Sequence, residues 1–103
     1  MVVYKSTYDP IPLPDLDIYT FLLSENEHNT QHSHDRVVTI DGHTGRTLTF
    51  AQVKDLATRM AAGWNDKVGL GQGDVVASFA PNQYNHIVVY LSLLGAKCTI
   101  TPG

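Results

Sequence analysis

From residue 36 onward the chain alternates between β-branched runs and helical stripes, whereas its first 35 residues hold no sustained apolar period. Arg36-Val37-Val38-Thr39-Ile40 is β-branched and predicts a strand. Asp41-Gly42-His43-Thr44-Gly45 is turn-forming and Arg46-Thr47-Leu48 returns, so the pair predicts a β-hairpin. Thr49-Phe50-Ala51-Gln52 has the form of a capping box, in which Thr49 and Gln52 satisfy free amides at a helix start. Phe50, Val53, Leu56, Ala57, Met60, Ala61 and Trp64 then share one face of a helix. Gly63 interrupts that stripe at a cost of about 1 kcal/mol relative to Ala, which a helix end tolerates.

A glycine-rich connection follows, Gly69-Leu70-Gly71-Gln72-Gly73, and then Asp74-Val75-Val76-Ala77-Ser78-Phe79-Ala80. The near-continuous apolar run predicts a strand buried on both faces, as in a parallel sheet. Pro81-Asn82 stops it. Residues 83–94 predict a helix ended by Gly95, and Ile87, Val88, Val89, Tyr90, Leu91, Leu93 and Leu94 nearly encircle it. Lys97-Cys98-Thr99-Ile100-Thr101 returns as a strand. Strand, helix and strand within about 30 residues make a βαβ unit.

The opening residues are organised differently. Pro10, Pro12 and Pro14 at alternate positions favour an extended or polyproline path over helix. Asp17 caps a short helix whose apolar face is Ile18, Phe21 and Leu22. Residues 24–35 contain no apolar side chain and read as a solvated loop. The chain therefore divides into residues 1–35, an extended segment with a short helix and polar loop, and residues 36–103, an α/β unit.

Charge sharpens that division. Six acidic side chains against Lys5 alone give residues 1–35 a net −5, while residues 36–103 carry +2. The overall −3 gives no electrostatic reason to expect nucleic acid. One cysteine, Cys98, excludes an intrachain disulfide and suits a reducing compartment. The start Met1-Val2-Val3-Tyr4-Lys5 lacks the pattern of a secretory signal. The longest wholly apolar run, residues 87–91, is far short of the roughly 20 residues that span a membrane. The expected location is the cytoplasm.

Four places invite chemistry. Gly69, Gly71 and Gly73 lie between a helix and a strand, the reverse of a dinucleotide-binding fingerprint, so they read as a helix stop and chain reversal. His28, His32 and His34 beside Glu25, Glu27 and Asp35 have the residue types of a zinc site but no apolar support, so a polar loop is the plainer reading. Asn82, with Gln83 and Tyr84, stands beyond a strand end where ligands collect in open sheets; it reads first as a helix cap. Cys98 is expected as a core residue, with His86 and His43 on the surface or in turns.

In order, Thr39-Ile40-Asp41-Gly42, Gly45-Arg46-Thr47-Leu48-Thr49-Phe50, Ala61-Ala62-Gly63, Gly73-Asp74-Val75-Val76, Pro81-Asn82, Leu94-Gly95-Ala96 and Thr101-Pro102 resemble the start of the adenylate-forming enzymes. Tyr4-Lys5-Ser6 and Ile11-Pro12-Leu13-Pro14 look most like the 4-coumarate–CoA ligase branch of the acyl-CoA synthetases. The resemblance covers essentially the whole chain, and residues 24–35 are its least typical part.

It implies an α/β fold: a partial parallel sheet with a hairpin beside it and two main helices, the truncated start of a large N-terminal domain. It also implies a parent reaction in which a carboxylic acid and ATP, with Mg²⁺, form an acyl-adenylate that CoA then intercepts. The family's Ser/Thr/Gly-rich phosphate loop, its Mg²⁺-binding acid and its late lysine have no match here, since His43-Thr44-Gly45-Arg46 is already a hairpin turn. No catalytic, cofactor-binding or metal residue is carried over, and the fragment is expected to bind no cofactor and to be inactive. A parent enzyme could be peroxisomal. The rival expectation is a non-catalytic interaction module or gene remnant, which dimerises or binds a partner through uncovered sheet surface.

Overall fold

A computed structural model describes residues 1–102. Asp17 opens α1 (Ile18–Leu23): its carboxylate accepts from the Thr20 amide at 2.9 Å and from the Thr20 hydroxyl at 2.6 Å. β1 (Val37–Ile40) and β2 (Thr47–Thr49) pair antiparallel, with a register shift between Val37 and Thr39. Asp41 ties the turn, its carboxylate accepting from the His43 amide and the Thr44 hydroxyl. The capping box of α2 (Phe50–Gly63) is complete: Gln52 N–H donates to Thr49 Oγ1, and Thr49 N–H donates to Gln52 Oε1. A π-helical turn (Trp64–Val68) extends α2, and Gly69 at φ +78° closes it. β3 (Val75–Ser78), α3 (His86–Gly95) and β4 (Thr99–Pro102) complete the chain, with β3 and β4 parallel and Val75 opposite Thr99. The α/β class, the hairpin, the βαβ unit and the two main helices are thus as the sequence predicts.

α3 is apolar nearly all round because it serves two cores. Val88 and Leu91 join Leu23 of α1 and Val53 and Ala57 of α2. Leu93, with Ala96 and Cys98 beyond it, faces Trp64, Leu70, Val76 and Ile100. Ser92, fully buried between them, accepts a hydrogen bond from Trp64 Nε1 at 2.9 Å and donates to the Val89 carbonyl.

Four details depart from the sequence reading. α1 turns Tyr19 and Leu23 into the core and leaves Ile18 and Leu22 exposed, rather than presenting Ile18, Phe21 and Leu22 as its apolar face. β3 is not buried on both faces: Val76 and Ser78 are half-buried, whereas Val75 is 65% exposed and Ala77 is exposed. α3 and the π turn cover one side of the β3–β4 pair, and no described element packs on the other. α3 begins at His86 rather than residue 83, because Tyr84 and Asn85 form a turn in which the Gln83 carbonyl accepts from His86 N–H. Gly95 is the last residue of α3 and not its left-handed stop; that conformation falls to Lys97, at φ +66°. Lys97 N–H and Cys98 N–H donate back to the Leu94 and Leu93 carbonyls, a Schellman-like closure that offsets the strain of a side chain there.

Residues 1–16 are exposed and form no helix or strand. With this arm the Cα radius of gyration is 16.6 Å, against about 13 Å for a globule of this length.

Candidate functional site

The histidine loop is more ordered than its composition suggests. Asn26 Oδ1 accepts from the His28 and Asn29 amides, and Asn26 Nδ2 donates to the Phe21 carbonyl at 2.6 Å and the Ser24 carbonyl at 3.2 Å. Asn29 answers with Oδ1 accepting from Asn26 N–H, and with Nδ2 donating to the Ser24 carbonyl. Two asparagines thereby knot residues 24–30 onto the end of α1. The same chemistry is available to any Asx turn, so the signal lay in Asn26 and Asn29 rather than in the histidines.

The imidazoles turn to separate partners. His28 packs against Phe21 and His34 against Phe50, each with ring centroids 5.7 Å apart. Among the described residues no three His, Cys, Asp or Glu side chains come close enough together to hold a metal ion. The loop borders an open groove of about 360 Å³ with β1 and the start of α2, lined in part by His28, His32, Arg36 and Phe50.

The glycine connection is a self-satisfied turn. Gly71 N–H donates to the Asp74 carboxylate at 2.8 Å and Asp74 N–H donates to the Gly71 carbonyl at 3.1 Å. Gly73 at φ +92° supplies the left-handed step that this reversal needs. Cys98 is buried against the same turn, its Sγ 3.7 Å from the Gly71 carbonyl. His86 lies on α3, stacked on Tyr90.

Asn82 does not cap α3. The N-cap position belongs to Asn85, whose side chain makes no capping bond, because the Tyr84–Asn85 turn moves the helix start three residues on. Asn82, Gln83 and Tyr84 instead face the hairpin turn, Asp41 to His43, across an open cleft of about 550 Å³. Thr39 Oγ1 lies buried there without a hydrogen-bond partner, and no sequence signal announced it.

Two carboxylates titrate below their ordinary range. Asp17 is held down by the Thr20 hydroxyl and then the Thr20 amide, and Asp41 by the Thr44 hydroxyl and then the His43 amide. Both therefore stay ionised at neutral pH and serve as a cap and a turn lock, the reverse of a carboxyl raised for acid catalysis.

Nucleotide phosphates, with Mg²⁺, need free amides or clustered cations and an acid to hold the metal. Here Gly71 N–H and His43 N–H, one amide from each glycine-containing turn, are already bonded to the Asp74 and Asp41 carboxylates. Those two amides are therefore not free to cradle a phosphate.

The family model described as AMP-binding enzyme matches residues 26–102. Among curated relatives, 4-coumarate-CoA ligase 1 of Narcissus pseudonarcissus is 34% identical over 100 residues, 94% of this chain and 17% of that protein. The Arabidopsis thaliana protein named 4-coumarate–CoA ligase-like 3 is 33% identical over 90 residues, 87% of this chain and 15% of its own. Peroxisomal OPC-8:0-CoA ligase 1, also from Arabidopsis thaliana, is 34% identical over 101 residues, 95% of this chain and 17% of its own. The chain spans about a sixth of the length of the curated relatives it matches. Matched along most of its length, through the hairpin, both long helices and the βαβ unit, the chain belongs to the AMP-binding enzyme family.

Proposed function

We propose that this chain is the opening scaffold of an acid–CoA ligase of the 4-coumarate type. Residues 36–103 begin the AMP-binding-type subdomain, and residues 1–35 attach to it as an arm, a docked helix and a loop. In the parent reaction a carboxylate attacks the α-phosphorus of ATP, pyrophosphate leaves, and the CoA thiol then displaces AMP from the acyl-adenylate. None of these steps is assigned to residues described here. The observation that carries this reading is that the polar groups of the matched segment are spent on folding: Thr49 and Gln52 on a cap, Asp41 and Asp74 on turns, Ser92 on Trp64. A single reducing compartment, the cytoplasm, suits the free Cys98 thiol. One relative's peroxisomal name supports that organelle as a second destination.

Purified chain is expected to give no acid-dependent ATP–pyrophosphate exchange above the protein-free control, with 4-coumarate and aliphatic acids as substrates. Exchange that scales with protein and survives a second chromatographic step would overturn the scaffold reading.

A second reading, self-association, is favoured by one observation. The accessible surface is 8075 Å², against about 5,700 Å² for a folded monomer of this mass. Part of the excess is the uncovered side of β3, where Val75 is 65% exposed, and Phe79, just past the strand's end, is 98% exposed. Sedimentation velocity is expected to show a dimer whose population falls on dilution and with Val75→Lys. A monomer at every concentration up to about 1 mM removes this reading.

A further inference from the structure

We propose that the open groove between the histidine loop, β1 and the start of α2 binds a small organic anion with an apolar body. Its volume of about 360 Å³ lies within the range of small-molecule sites. The lining is divided by chemistry. Leu22, Val37, Val38 and Phe50 supply apolar wall, and Arg36, His28, His32 and Ser33 supply hydrogen-bond donors. No Asp or Glu lines it.

Arg36 decides the sign of the ligand. Its guanidinium forms no salt bridge among the described residues, so its five N–H donors remain free for a carboxylate or phosphate fork. Its backbone is fixed independently of that side chain: Arg36 N–H donates to the Ser33 carbonyl at 3.0 Å, and the Arg36 carbonyl accepts from Phe50 N–H at 2.9 Å. Asn29, also in the lining, is anchored by the asparagine knot at the end of α1. Glu27 pairs with His28 Nε2 at 3.5 Å, both side chains well exposed, so this bridge yields readily to an incoming anion. The apolar wall adds a second requirement, because a bare inorganic anion leaves Leu22, Val38 and Phe50 uncovered.

The test is a nitrogen-15 NMR titration of the whole chain with three probes: benzoate, inorganic phosphate (charge only) and benzyl alcohol (ring only). Benzoate is expected to move the amides of Ser33, Arg36 and Val38 with a dissociation constant of about 1–10 mM, reasonable for so few atoms. Phosphate and benzyl alcohol are expected to bind about tenfold more weakly or worse. Arg36→Gln, which leaves the backbone bonds in place, is expected to weaken benzoate about tenfold. Val38→Asp, an exposed strand position that sets a carboxylate against the anion, is expected to do the same and covers the case in which the first variant misfolds. The proposal falls if benzoate moves none of these amides, if both variants bind it as tightly as the parent chain, or if phosphate matches benzoate.

Discussion

Leu93→Ala is expected to cost about 2–5 kcal/mol, the range for truncating a fully buried leucine. Leu93 is 1% exposed and lies where α3, the π turn and the β3–β4 pair converge, touching the cluster of Trp64, Leu70, Val76 and Ile100. Three differently oriented elements hold that void open, so the site collapses poorly and the upper part of the range applies. A domain of this length has about 5–15 kcal/mol in total, and one with so much uncovered surface sits at the lower end. The variant should therefore be substantially unfolded near room temperature. Urea titration followed by Trp64 fluorescence measures this directly, because the indole N–H is bonded to Ser92 inside the same cluster. Leu93→Met, which keeps the volume, should cost less than about 1.5 kcal/mol. Equal midpoints for the parent and the Ala variant would mean that α3 does not seat on the sheet as described.

What the sequence disclosed follows a physical rule: features settled within a few residues were legible, and those settled across the chain were not. The Asp17 cap, the Thr49–Gln52 box and the Asp41 turn each close over two or three residues, so residue type and spacing were sufficient. The α2 stripe was legible because one face of that helix turns inward and buries Val53, Ala57 and Ala61, with Trp64 at its end entering the second cluster. α3 was legible as a helix, but its encircling apolar pattern could not say that two separate clusters share it. The apolar run of β3 predicted cover on both sides, yet cover is a property of whatever packs there, and only one side has it. The candidate groove was illegible for a related reason. Residues 24–35 have the composition of solvated chain, and the asparagine knot, with the His32 and Arg36 amides bonded to the Asn29 and Ser33 carbonyls, brings His28 and His32 to the same groove as Arg36. Family resemblance carried the reading where local chemistry stopped.

Gly95→Ala is expected to destabilise the chain by about 1–3 kcal/mol, although the position is helical and alanine is the better helix former by about 1 kcal/mol. A Cβ built at Gly95 would stand 2.8 Å from Cε2 and 2.9 Å from Cδ2 of Tyr19. The ring has little freedom to retreat, since Tyr19 packs against the first core and its Oη is hydrogen-bonded to Thr58 Oγ1 on α2 at 2.8 Å. Gly95 thus exists to let α1 approach α3, a role its place near a helix end disguises as a simple stop. The sign of the substitution tests this account. In a Tyr19→Ala background the obstacle is gone, and Gly95→Ala should become stabilising by about 0.5–1 kcal/mol through helix propensity alone. Four urea titrations form the double-mutant cycle, and a coupling energy of about 1.5–4 kcal/mol is expected between the two positions. If Gly95→Ala has the same effect in both backgrounds, Tyr19 does not occupy that groove, and the docking of α1 onto α3 must be redrawn.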